Sequence, residues 1–147
     1  MNVRPATPAD HPAWADMLAR LHAPQASAAQ FLDEIQVWQG WNEPMLCWLA
    51  EDADRRILGM VDARLRNYAE GAPDGLVPYI EDLWVEEHAR RRGVGRALVE
   101  AVRGWARAGG HSWIGSDALL DNTASHAFHA AMGFAEIERL VVYGRAP

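Results

Sequence analysis

One stretch constrains the fold more than any other: the apolar run Val77 to Val85, a glycine-bearing joint, and an amphipathic segment ending at Gly109-Gly110. From Val94 the apolar positions Val94, Ala97, Leu98, Ala101, Val102 and Trp105 fall at i, i+3, i+4, i+7, i+8 and i+11, the stripe of a helix that buries one face. The glycine pair marks its end. At the joint stands Arg90-Arg91-Arg92-Gly93-Val94-Gly95, followed by Arg96. Glycines 93 and 95 lack β-carbons where the helix begins, so consecutive backbone N–H groups can converge on an anion. The helix dipole and the flanking guanidinium groups add attraction for a pyrophosphate or a 3'-phosphate. A dinucleotide fingerprint needs a third glycine or alanine where this chain has Leu98. A Walker loop needs a lysine, and all fourteen basic residues here are arginine. A solvated helix start with no ligand is the bland reading that the joint alone leaves open.

The rest of the chain supplies a single domain, residues 1–147. Asn2 to Ala6 has a β pattern. Pro8 sits at a helix start that predicts a helix to about Leu21, with Trp14, Met17, Leu18 and Leu21 on its buried stripe. Ser27 and Gln30 form a capping-box signal for a second helix to about Gln39. Met45 to Ala50 and Ile57 to Leu65 read as an antiparallel hairpin. Val77 to Val85 is a strand interrupted by Glu81 and Asp82, two acids where at least one should face inward. Ser112 to Ser116 predicts a short strand, Asn122 to Met132 a helix, and Phe134 to Tyr143 a last strand.

Net charge is -6, which argues against general binding to nucleic acid or anionic membranes. The distribution is uneven: residues 1–89 hold six arginines against fifteen acids, whereas residues 90–147 hold eight against five. Two surfaces of opposite preference, or ordinary solvation, would both produce this split. The single cysteine, Cys47, permits no intrachain disulfide, and no apolar run is long enough for a membrane span. A cytoplasmic protein with no metal is expected. His126 and His129 are three residues apart on one predicted helix, but no third ligand is placed.

The pattern Arg90-x-x-Gly93-x-Gly95 after an apolar strand resembles the acyl-CoA signature of the GCN5-related N-acetyltransferase superfamily. Asn122, then Ala127-Phe128 and Gly133-Phe134, resemble its second cofactor-side element. Further stretches resemble the small aminoglycoside 6'-N-acetyltransferases: Tyr68-Ala69-Glu70-Gly71, Ile80 to Val85, Gly115-Ser116-Asp117 through Asp121-Asn122-Thr123, and His129 to Phe134. His129 stands where most superfamily members have tyrosine. The resemblance implies a mixed, mostly antiparallel sheet flanked by about four helices and splayed at the acyl-CoA site.

It also implies roles. Leu83, Trp84 and Val85 would present strand backbone to the pantetheine and thioester of acetyl-CoA, and Arg90 through Arg96, with Gly93, Val94 and Gly95, would hold its pyrophosphate. Asn122 would bind the cofactor arm. Tyr68, Glu81, Asp117 and Glu138 match positions that hold the aminoglycoside. His22 stands near the end of the first helix where the subgroup commonly carries tryptophan. The implied assembly is a homodimer. Acetylation of another small amine, a polyamine or a protein N-terminus suits the same acids, as does a non-catalytic acyl-CoA sensor.

A sugar ammonium must lose a proton before it attacks a thioester. Glu81, an acid on an apolar strand, is expected to have a raised pKa and to act as base, with Asp117 second. Both acids serving only as anchors, with water carrying the proton, stands equally open. His129 suits protonation of the departing thiolate, with a local structural hydrogen bond as its other role. A bulge in the central strand would turn an N–H near Leu83 toward the oxyanion.

Overall fold

The computed structural model describes every residue from Met1 to Pro147. Its elements run β1 (Asn2–Pro5), α1 (His11–Leu21), α2 (Ala28–Gln39), β2 (Leu46–Glu51), β3 (Ile57–Arg66), β4 (Val77–Val85), α3 (Val94–Ala108), β5 (Gly115–Ser116) and α4 (Thr123–Ala131). The five strands form one sheet in sequence order. β1 to β4 are antiparallel and only β5 joins in parallel, after the α3 crossover.

Alternation along β2 explains the two layers. Trp48 and Ala50 face α3, where they pack with Val61, Ala63, Ile80, Leu98, Val99 and Val102. Cys47 and Leu49 face the opposite side and meet Trp14, Met17, Leu18, Ile35 and Met60 beneath α1 and α2. Each fully buried aliphatic side chain contributes roughly 1.5–3 kcal/mol, so the layers are specified by strand period as much as by helix period. The Ser27 capping box is formed: Ser27 Oγ accepts from the Gln30 N–H, and Gln30 Oε1 accepts from the Ser27 N–H at 3.0 Å. α3 ends at Ala108 with Gly109 as its C-cap, as the glycine pair predicts.

Two expectations need correction. β5 holds only Gly115 and Ser116, not all of Ser112 to Ser116. The segment Phe134 to Tyr143 forms no strand. Its residues have β character, but a strand exists only when its N–H and C=O groups find a neighbour. Here Ile137, Leu140, Val141, Val142 and Tyr143 stand exposed instead.

Between Asp62 and Ala63 the pairing of β3 with β4 shifts: Asp62 lies opposite Asp82, and Ala63 lies opposite Ile80. Glu81 is therefore an extra residue on β4, a β-bulge. β4 also loses its other neighbour at this level, because β5 pairs only with Tyr79 and Ile80. From Glu81 to Val85 the outer edge of β4 is open.

Candidate active site

The open edge is the centre of the site. Asp82 turns its N–H toward β3, donating to Asp62 Oδ1 at 2.9 Å. Strand alternation then directs the N–H groups of Leu83 and Val85 to the open side. The Val85 carbonyl accepts from Arg90 Nε at 3.0 Å, and Arg90 and Arg20 both lie near the Trp84 ring, 5.3 and 5.4 Å from its centroid. Trp84 packs into the layer beneath α1 and α2, so it contributes backbone rather than ring to the open edge.

Beyond Val85 the chain turns through the arginine-glycine joint. Arg91 and Gly93 both have positive φ, 62° and 84°. No N–H from Arg91 through Arg96 donates to an acceptor within the protein, the first helical bond being Ala97 N–H to the Gly93 carbonyl at 3.0 Å. Six consecutive donors are left at the positive end of a helix dipole, a donor set that matches the phosphate oxygens of a nucleotide-linked acyl carrier. Gly95 has a packing reason too. A β-carbon there would lie 3.1 Å from Phe128 Cε2, so glycine lets α4 close on the start of α3. Val94 is buried beneath the joint, whereas the Arg91 and Arg92 side chains are exposed. Arg96 Nη2 reaches the Ala131 carbonyl at 3.3 Å.

α4 begins at Asn122, whose Oδ1 accepts from the Ser125 N–H at 3.0 Å. His129, in the last turn of α4, bridges to β5. Its Nδ1 lies 2.8 Å from the Ser125 carbonyl and its Nε2 lies 3.0 Å from Ser116 Oγ. A carbonyl only accepts, so Nδ1 carries a proton; Nε2 accepts from the serine hydroxyl in the neutral ring and donates to Ser116 Oγ in the imidazolium.

The face of β4 under α1 and α2 carries the acids. The bulge places Glu81 and Asp82 there together. Glu81 Oε1 accepts from Arg64 Nε at 2.8 Å and Arg66 Nε at 2.7 Å, and Oε2 accepts from Arg66 Nη2. The expectation of a raised pKa is overturned. Burial acts to raise it, but the bonds from Arg66 and Arg64 outweigh that and hold the carboxyl below its usual range. Asp82 behaves in the opposite way: burial raises its pKa, and His22 only partly offsets the effect. His22 Nε2 lies 2.8 Å from Asp82 Oδ1, and the His22 ring packs on Phe31 with centroids 5.5 Å apart.

Asp62 is fully buried, its Oδ2 accepting from Trp14 Nε1 at 2.8 Å. Burial first, then the neighbouring Asp82 charge, push its carboxyl well above the ordinary range. Asp117 Oδ2 accepts from the Tyr79 hydroxyl at 3.2 Å. Tyr79 is pushed up to about 12, by burial and then by the Asp117 charge.

The sequence-derived residues thus fall into three groups. Leu83, Val85, Arg90 to Arg96 and Asn122 lie along the open edge and the starts of α3 and α4, His22 and Glu81 lie on the face under α1 and α2, and Asp117 and His129 share the lining of a cavity beside β5. Tyr68 is 68 % exposed in the β3–β4 loop, outside the hydrogen-bonded cluster. Glu138 sits on the strandless tail, lining with Asp117, Tyr79 and Arg66 a cavity of about 750 Å³ beside β5. Asp62, Arg64, Arg66, Asp82 and Ser116 were not singled out as site residues. The alternation Arg64-x-Arg66 on a strand facing Glu81 was the available signal for two of them. No group of three or more His, Cys, Asp or Glu side chains is placed to hold a metal ion.

An open strand edge beside a helix-start anion cradle, with acids across the edge, defines an acyl-transfer site on a splayed sheet. The chain belongs to the acetyltransferase (GNAT) family, whose pattern matches residues 14–134. It is similar to the aminoglycoside N(6')-acetyltransferase type 1 of Stenotrophomonas maltophilia, 38% identical over 146 residues covering 99% of this chain and 92% of the relative. Among solved structures it resembles the aminoglycoside 6'-N-acetyltransferase AAC(6')-IG of Acinetobacter haemolyticus in its apo form. That likeness has a TM-score of 0.85 and 30% identity, covering 100% of this chain and 99% of the other. It also resembles AAC(6')-Iy in complex with the bisubstrate analogue CoA-S-monomethyl-acetylneamine, with a TM-score of 0.88, 26% identity, and coverage of 99% and 98%.

Proposed function

We propose that the chain transfers the acetyl group of acetyl-CoA to the 6'-amino group of aminoglycoside antibiotics and so confers resistance to them. One observation carries this reading: the six unpaired N–H groups of Arg91 to Arg96 follow directly on the open length of β4, the acids Glu81 and Asp82 stand on that same length, and Asp117 is bonded to Tyr79 just before it. The first suits a polyanionic donor and the second a cationic acceptor. The relatives named above carry the same activity in their names.

In this mechanism the joint holds the pyrophosphate, and the edge of β4 at Leu83 and Val85 bonds the pantetheine. Asn122 keeps its side-chain amide for the cofactor arm while its oxygen caps α4. The amine attacks the thioester carbon directly, and an outward N–H at Leu83 stabilises the oxyanion. Glu81 and Asp117 act as anchors for the polycation, joined by Tyr68 and Glu138 from the loop and the tail. His129 in its imidazolium form protonates the departing thiolate from Nε2, which Ser116 Oγ orients, while Nδ1–H stays bonded to the Ser125 carbonyl. Alignment of amine and thioester in one cleft supplies much of the rate. Purified protein incubated with acetyl-CoA and a kanamycin-type aminoglycoside should release free thiol with formation of the 6'-N-acetyl product. Absence of thiol release across several aminoglycosides with a 6'-amine would sink the substrate assignment.

A second reading is acetylation of a smaller amine, favoured by the fact that both oxygens of Glu81 are already bonded to arginines. A panel of polyamines and peptide N-termini in the same assay separates the two. We propose in addition a homodimer: the exposed apolar side chains of Ile137 and of Leu140 to Tyr143 lie on the tail beside a two-residue β5 with an open outer edge. Light scattering should give twice the chain mass, and a double Val141→Asp, Val142→Asp variant should return one chain mass. No helix is long and apolar enough to cross a membrane, and the lone buried thiol of Cys47 suits a cytoplasmic location.

A further inference from the structure

We propose that His22 and Asp82 together are the proton acceptor for the attacking amine, with Asp82 Oδ2 taking the proton and His22 positioning it. The inference rests on the acetyl-transfer reading above. It begins with the carboxylates that line the acceptor end. Glu81 accepts three bonds from Arg64 and Arg66, two on Oε1 and one on Oε2, which lowers its basicity and leaves it suited to anchoring a cation rather than taking its proton. Asp82 differs in each respect. Its Oδ1 is held by His22 Nε2 at 2.8 Å, while Oδ2 makes no hydrogen bond within the protein and is not sealed from solvent.

Asp82 is held rigidly. Its backbone N–H is clamped by the buried Asp62, itself anchored to Trp14, and its side chain is gripped by a ring wedged against Phe31. The bulge brings it to the level where β4 parts from β5, next to the outward-facing Leu83. The charged groups around it are Asp62 and Arg64 from β3, Glu81 from β4, Asp117 beyond β5, and Arg20 at the end of α1. Arg20 is already bonded to Glu86. Burial first, then the Glu81 and Asp117 charges, keep Asp82 basic for a carboxylate against the pull of His22, and His22 keeps it oriented.

The protons balance as follows. A bound ammonium gives one proton to Asp82 Oδ2, and the carboxylate passes from charge -1 to neutral. The freed nitrogen lone pair forms the C–N bond at the thioester carbonyl carbon, and the C–S bond breaks with its electron pair on sulfur. The second proton leaves the nitrogen as the tetrahedral species collapses and ends on the thiolate. The first returns to solvent from the Asp82 pair.

The test is the pH profile of kcat/KM for the amine that the wild type turns over fastest in the panel, with acetyl-CoA binding measured separately by calorimetry. Asp82→Asn should lower kcat about 100-fold near neutral pH, move the acid limb up by about one pH unit or more toward the amine's own titration, and leave acetyl-CoA binding unchanged. Asp82→Ser should do the same, keeping the test alive if the amide variant folds poorly. His22→Gln, which still donates to Oδ1, should lose about tenfold or less and His22→Ala more, the conservative variant rescuing the positioning role. An active wild type whose Asp82 variants keep its kcat and its acid limb overturns this inference alone. A wild type inert toward every amine overturns the acetyl-transfer reading and this inference with it.

Discussion

Glu81 and Asp82 are consecutive in sequence, yet their carboxyl groups lie on the same face of the sheet, one bonded to Arg64 and Arg66 and the other to His22. An undisturbed strand would send them to opposite faces. The bulge opposite Asp62 removes that alternation, so two acids reach one cleft with opposite electrostatic fates.

That contrast predicts how Glu81→Gln behaves. The change leaves Arg64 and Arg66 without their counter-charge beside the acceptor, so KM for a polycationic amine should rise about tenfold while kcat falls less, the pattern of a lost anchor. Because the folded-state pKa is depressed, the ionised carboxylate stabilises the fold above the ordinary glutamate range, and this contribution is lost as pH falls through the folded value. The stability gap between wild type and variant, measured by denaturant titration, should therefore close below about pH 4.

Asp62 follows the reverse sign. Its raised folded-state pKa makes its contribution greatest below the ordinary aspartate range, declining as pH rises through the folded value. Both oxygens accept from N–H donors, so Asp62→Asn must set an amide N–H against Trp14 or against the Asp82 backbone. The expected cost is about 1–3 kcal/mol, with a flatter dependence of stability on pH than the wild type between about pH 4 and pH 7. Thermal melts across that range check both.

At the start of α3 the two glycines should fail for different reasons. Gly93→Ala forces a β-carbon onto a residue with φ of 84° into otherwise open space, costing about 1–2 kcal/mol in backbone strain and tilting the N–H cradle. Gly95→Ala drives its β-carbon to 3.1 Å from Phe128, pushing α4 outward. Both should raise KM for acetyl-CoA, about tenfold or more when one or two charge-assisted bonds are lost, and leave KM for the amine nearly unchanged in steady-state kinetics.

His129→Phe keeps the aromatic packing against Phe134, whose ring centroid is 5.3 Å away, and removes the proton donor. A drop in kcat of about 10–100-fold with unchanged acetyl-CoA binding is expected. Ser116→Ala should give a smaller drop, since it releases the ring without deleting it. If His129→Phe melts early but turns over at the wild-type rate, the histidine is only a strut between α4 and β5.

Much of this architecture is legible in local pattern. The stripe from Val94 to Trp105 and the capping box at Ser27 depend on residues a few positions apart, and both form as their spacing dictates. The donor end of the site is legible for the same reason, since a strand, two glycines and a helix start are contiguous. The acceptor end is not. Whether Glu81 is basic depends on Arg64 and Arg66, fifteen or more residues away, and on a register shift that no single strand reveals. Asp82 appears in sequence only as an odd acid in an apolar strand. Its partner His22 comes from a helix end sixty residues earlier. The run from Ile137 to Tyr143 has the inclination of a strand, but inclination does not provide an edge to pair with.

The six unpaired N–H groups from Arg91 to Arg96 carry a consequence for how such a protein can change. Recognition of the donor is written in main-chain shape and depends on side chains at little more than Gly93 and Gly95. Recognition of the acceptor is written in side chains, at Tyr68, Glu81, Asp117 and Glu138, which can be exchanged one at a time. Variants selected for a new amine should therefore gather substitutions at the second set and leave the first untouched, one end of the cleft remaining constant while the other explores.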